Sequence, residues 1–161
     1  MPKIIKDNAI IDSPLAVVQP AEASLACSNS LLPLAFYLAH QTSLAGRADI
    51  GVWLQADEAV EDLAPYLSDL TVIALDLPQF GDGRAYSSAA LLRQRYGFTG
   101  EIRAVGDVRR DQLEQMQRCG FTAYALAPGQ DEQACLQGLA GFTFNYQASV
   151  DKPQPLFRRR A

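Results

Sequence analysis

The sequence predicts an α/β fold: a mainly parallel sheet of about four strand–helix units, preceded by an N-terminal β-hairpin. Three observations carry this. Apolar segments recur at "IGVWL", "LTVIALDL", "EIRAVG" and "TAYALA", and each is followed by a stretch with helical spacing. The run "LTVIALDL" is almost continuously apolar, as in strands covered on both faces. "KIIK" and "AIID" flank Asp7-Asn8, a pair that tolerates the positive φ of a two-residue hairpin turn. An open three-layer sheet is the first expectation. A partial β/α barrel is the alternative, because such units also suit half of a barrel.

After the hairpin, "LAVVQ" reads as a further strand and residues 20–30 as a polar approach to a helix over Leu31–Leu44. That helix would be capped by Ser30 or Asn29, carry Pro33 in its first turn and stop at Gly46. It is apolar around much of its circumference, so it is either deeply buried or a contact between copies of a homo-oligomer. Asp57 should cap a short helix bearing Val60, Leu63 and Leu67. Ala85, Ala89, Leu92 and Tyr96 make a stripe at helical spacing, ended by Gly97. Asp107 should cap "VRRDQLEQMQRC", and "DEQACLQGLAGF" should form a last helix with its acids at the favourable N-terminal end. From Thr143 the chain reads as irregular or a lone edge strand. The division expected is one α/β domain over residues 1–150 and a basic tail over 151–161.

The totals exclude several functions. A chain of 161 residues with 48% hydrophobic and 20% charged residues can bury one core without staples. A formal charge of −4 argues against nucleic acid or an anionic membrane as main partner, the "LFRRRA" end being a local exception. Cys27, Cys119 and Cys135 form no C-x-x-C pair, which speaks against a four-thiolate metal site or a disulfide framework. Cys119 and Cys135 read as core, leaving Cys27 as the one candidate for a reactive thiol. "MPKIIKDNAI" has no long apolar stretch or cleavage pattern, so a cytoplasmic protein is expected. His40 reads as a helix-end polar residue and Trp53 as packing.

In parallel sheets ligands gather outside the carboxyl ends of the strands, and "FGDGRAYS" (residues 80–87) lies at such an end. It has neither the P-loop nor the G-x-G-x-x-G spacing. Read as a plain turn, Gly81 and Gly83 supply positive φ while Asp82 bonds the local backbone. Read as a site, Arg84 and Ser87 beside a helix start could hold a small oxyanion. Arg103 sits within an otherwise apolar strand and demands a partner, for which Asp76 on the neighbouring strand is the candidate. Asp76, Asp82, Gly83, Arg84, Ser87, Arg103 and Asp107 are therefore the candidate ligand or partner face. No flavin, siroheme, iron–sulfur or nicotinamide motif is recognised.

Residues 82–121 carry "DGR" with a serine three residues on, then "LLR", "GEIRAVGDV", "RDQL" and "RCGF". This run resembles the bacterial domain-of-unknown-function family 934, whose members are commonly labelled oxidoreductases of sulfite reduction. The resemblance extends from "IIKDNAIID" to Tyr146 and Gln147. It departs at Phe36 and Tyr37, where a tryptophan is common in the family, and at Thr122, where an acid is common. The resemblance implies a role in assimilatory sulfur metabolism, with sulfite reductase or another sulfate-assimilation enzyme as partner. Two functions follow as expectations. One is an accessory protein docked on such an enzyme. The other is an enzyme that handles a small sulfur oxyanion, or its nucleotide conjugate, on the charged face.

Overall fold

In the computed structural model, which describes residues 3–139 and 145–158, eight strands form one sheet in the order β2-β1-β8-β7-β6-β5-β4-β3. The strands are β1 (Lys3–Lys6), β2 (Ala9–Asp12), β3 (Ala16–Val17), β4 (Ser30–Pro33), β5 (Ile50–Leu54), β6 (Val72–Leu77), β7 (Glu101–Gly106) and β8 (Ala123–Tyr124). The helices are α1 (Leu34–Leu44), α2 (Arg84–Gln94), α3 (Leu113–Cys119) and α4 (Glu132–Gly138). From β3 to β8 every pairing is parallel, and β1 joins β2 and β8 antiparallel. The hairpin turns where expected, with Asp7 at φ 50° and Asn8 at φ 57°.

Strands β4 to β8 follow one another in space as in sequence. Right-handed crossovers that always step the same way place every helix on the same face of the sheet. The core bears this out. Leu32, Val52, Leu54, Ile73, Leu75, Leu77, Ile102 and Ala104 pack in one cluster with side chains from α1 to α4. A smaller cluster of Leu31, Trp53, Val72, Ala74 and Val105 occupies the opposite face, against Leu15 and Ala125. The open three-layer sheet is thus corrected to a sheet with helices on one side only.

Chain length explains its shape. Laid flat, the edge strands β2 and β3 would stand about 34 Å apart, at roughly 4.8 Å per strand. Yet Asp12 ends β2 and Ala16 begins β3, and a link this short reaches at most about 14 Å. The sheet must therefore curl, and it forms a half-barrel with the helices outside. The partial-barrel alternative is the form adopted.

Three elements differ from expectation. Residues Ser30–Pro33 are a strand, not the first turn of the helix, and α1 begins at Leu34. Pro33 explains this: its ring drives the preceding residue into extended backbone. In α1, Leu34, Tyr37 and Leu44 are buried, and Phe36 and Leu38 are partly buried against the same core. After β5 the chain makes a 3-10 helix, Val60–Asp69, led by Ala59 rather than Asp57 and containing Pro65. Proline removes an α-helical donor, which favours the tighter form here. Before α3, a 3-10 turn, Arg110–Gln112, is led by Arg109 rather than Asp107. By contrast α4 starts as read, Asp131 accepting from the Gln133 and Ala134 amides.

The C-terminal segment is anchored where it is described: Val150 donates its amide to the Arg118 carbonyl, and Leu156 donates to Tyr146. Arg159 and Arg160 of the expected tail lie outside the described residues, as do Thr143 and Phe144 of the expected edge strand. No helix among the described residues is long and apolar enough to cross a membrane.

Candidate functional site

The strand carboxyl ends present two turns that meet, β6 to α2 and β7 to α3. Each is braced by an Asp-x-Arg ion pair. Arg84 grips Asp82 through Nε and Nη2, the latter at 2.6 Å, and its own amide also donates to Asp82 Oδ1. Arg109 grips Asp107 at 2.8 and 3.0 Å. In both pairs the guanidinium holds the carboxyl below its ordinary range. The arginines are more than half exposed, at 57% and 51% of their side chains. Phe80, on the first turn, is 48% exposed, and the Arg109 guanidinium of the second lies 5.5 Å from its ring centre. Gln112 ties the turns together by donating its side-chain amide to the Phe80 carbonyl.

The glycines of "FGDGRAYS" do not work as expected. Neither Gly81 nor Gly83 has positive φ, and Gly83 leads α2 at φ −91°. An added Cβ at either would meet nothing within 4 Å. The constrained glycine of this end is Gly106, at φ 94°. Asp82 does bond the local backbone, as a turn aspartate does. Ser87 is exposed on α2.

Arg103 lies elsewhere. Strands β6 and β7 are indeed adjacent, with Ala74 opposite Arg103 and Asp76 opposite Val105. Asp76 is thus a diagonal neighbour, but the guanidinium turns the other way, toward the amino end of its strand. It pairs with Glu101 at 2.6 Å and donates to Ser13 Oγ at 3.0 Å. Lys6 completes the group, 2.8 Å from the other Glu101 oxygen. The ion-pair reading of Arg103 holds with a different partner, and the residue stands apart from Arg84.

Asp76 lies inside the carboxyl-end mouth of the curled sheet, in a cavity of about 410 Å³ with Trp53, Val105 and Gln55 in its walls. Among the described residues it makes no hydrogen bond and no ion pair. Burial pushes its carboxyl above the ordinary range, and the nearby Asp82 charge adds to the shift. A carboxyl raised in the folded state holds its proton more tightly there than in the unfolded chain. Stability therefore falls as pH rises from the ordinary aspartate range through the raised folded value. Asp76→Asn should accordingly unfold at higher urea than wild type at neutral pH. The advantage should vanish below the ordinary aspartate range, and equal midpoints at neutral pH would show the carboxylate to be satisfied.

Burial pushes the thiols of Cys119 and Cys135 up, and Cys27 points its Sγ at the Glu22 carbonyl, 3.8 Å away. His40 stacks on Phe36, with Nδ1 3.0 Å from that residue's carbonyl oxygen. Phe80, Arg109, Gln112 and Gln55 were missed in the sequence. Repetition was the available signal: Asp82-Gly83-Arg84 and Asp107-Val108-Arg109 follow successive strands.

No curated protein matches the chain. The profile of one family, described as "Bacterial protein of unknown function (DUF934)", matches residues 51–157, from β5 into a C-terminal 3-10 turn, Leu156–Arg158. That span includes Phe80, both Asp-x-Arg turns and Asp76, and it covers well over half of the sequence. The chain belongs to this bacterial family.

Proposed function

We propose that this protein is a cytoplasmic accessory protein of assimilatory sulfite reduction, docking on sulfite reductase or another sulfate-assimilation enzyme. The sulfur pathway comes from the sequence resemblance. The docking role rests on one observation, the exposed Phe80 with the Arg109 guanidinium over its ring, on a turn that also exposes Arg84. Aromatic and arginine side chains are those enriched at protein–protein contacts and their energetic centres. Here the paired aspartates and Gln112 hold them before any partner arrives, which lowers the ordering cost of association.

An oxyanion-processing enzyme is less well supported. Such a site needs cations converging on a sheltered anion. Arg84 and Arg109 are each committed to an aspartate and face solvent, while Arg103 is buried with Glu101.

A strain lacking the gene tests the reading. Complementation by Phe80→Ala/Arg84→Ala/Arg109→Ala should leave growth slow on sulfate or sulfite and normal on cysteine. The tagged wild type, not the variant, should retain sulfite reductase in a pull-down from sulfate-grown cells. Arg84→Ala leaves Asp82, whose side chain is 8% exposed, without its cation, so Phe80→Ala/Arg109→Ala, which leaves that pair intact, should show the same growth defect and melt like wild type. Wild-type growth of the variant on sulfate would remove the docking role.

A further inference from the structure

The mouth that holds Asp76 has a chemistry of its own. Its volume of about 410 Å³ is within the range of small-molecule sites. Val17, Val105 and Trp53 give it apolar walls, and Gln19 and Gln55 add neutral amides. Trp53 is held in place by donating its indole N–H to the Val18 carbonyl at 3.0 Å. Asp76 is the one charged residue of the lining.

A carboxylate drawn into such a place normally finds a cation or several donors. None of the described residues provides them. The basic groups nearest in sequence are spoken for: Arg84 by Asp82, Arg109 by Asp107, Arg103 by Glu101. Gly106 leaves room for the carboxylate, since a Cβ there would come within 2.7 Å of Asp76 Oδ1. The lining itself thus offers Asp76 no counter-charge among the described residues.

We propose that this mouth binds an organic cation, a guanidinium or ammonium group carried on an apolar stem. The charged head would pair with Asp76 and share the amide oxygens of Gln19 and Gln55. The stem would lie against Val17, Val105 and Trp53. An anion is disfavoured, since it would face Asp76 with no cation in the lining. A divalent metal is disfavoured as well. It requires several hard ligands, and the described residues contain no group of three or more His, Cys, Asp or Glu able to hold one. The cation has two possible sources: a free amine or guanidine metabolite, or the basic side chain of a docked protein. This assignment goes beyond the docking role and stands without it.

The chain has a single tryptophan, so one indole N–H resonance reports directly from the mouth. The isotope-labelled full chain should be titrated with agmatine, with a blocked arginine peptide, with neutral butylurea and with sulfite. Agmatine or the arginine peptide should shift the Trp53 resonance saturably, and butylurea and sulfite should not. Tighter binding of agmatine assigns the site to a metabolite; tighter binding of the peptide assigns it to a partner side chain. Asp76→Asn should weaken the interaction at least about tenfold, as loss of a charged partner does. Gln55→Lys, at an exposed position, should abolish it by placing a cation in the mouth. The proposal is overturned if neither cation gives a saturable shift, if butylurea or sulfite binds equally well, or if both variants bind like wild type.

Discussion

Replacing Arg103 by alanine should destabilise the protein by about 3–5 kcal/mol, the usual cost of removing one partner from a buried ion pair. The side chains of Arg103 and Glu101 are only 4% and 7% exposed, and they meet at 2.6 Å inside the curled sheet. Alanine would leave Glu101 with Lys6 alone, whose side chain is 35% exposed and therefore better solvated and weaker as a counter-charge. It would also free Ser13 Oγ and the Leu15 carbonyl, the anchors of the short link between the sheet edges. Urea unfolding measures the loss. Arg103→Leu/Glu101→Leu should recover much of it, because a buried pair replaced by apolar groups of similar size leaves no stranded charge. A loss under about 1 kcal/mol for Arg103→Ala would mean that Lys6 suffices to neutralise Glu101.

Gly106→Ala should be nearly as damaging, at about 2–5 kcal/mol, from left-handed backbone strain together with overpacking. At φ 94° its Cβ would lie 2.4 Å from the Leu77 carbonyl oxygen and 2.7 Å from Asp76 Oδ1. The first obstacle is backbone within β6, which cannot yield without disturbing the neighbouring pairing and the Asp107 amide bond to that same Leu77 oxygen. Gly81→Ala is the internal control. It has open space and no positive φ, so it should change stability by no more than about half a kcal/mol. Equal losses at the two glycines would refute the strain argument.

The two variants mark where local pattern stops being informative. Gly81 and Gly83 stand out in "FGDGRAYS", but crowding depends on what other strands bring near, and that falls on Gly106. Arg103 announces itself as an arginine in an apolar strand. Its partner could not be read, because Asp76 and Glu101 are equally plausible until register and side-chain direction are known. Asp82 bonding its own turn was legible, since that contact spans two residues. The meeting of Phe80 with Arg109 and Gln112 was not, since it joins the ends of different strands.

By itself the sequence determined the hairpin at Asp7-Asn8, the parallel strands β5 to β8, the Asp131 cap and, through the run from Asp82 to Phe121, the family. These rest on periodicity, turn chemistry and contacts within a few residues. The tertiary structure decided that Ser30–Pro33 joins the sheet, that the helices share one face, and that the sheet curls around Arg103, Glu101 and Trp53. It also decided that Asp76 lines a mouth with Trp53, Val105, Gln19 and Gln55 and has no partner among the described residues. Those outcomes depend on which distant strands pair, in what register, and on a link between the sheet edges too short to let the sheet lie flat.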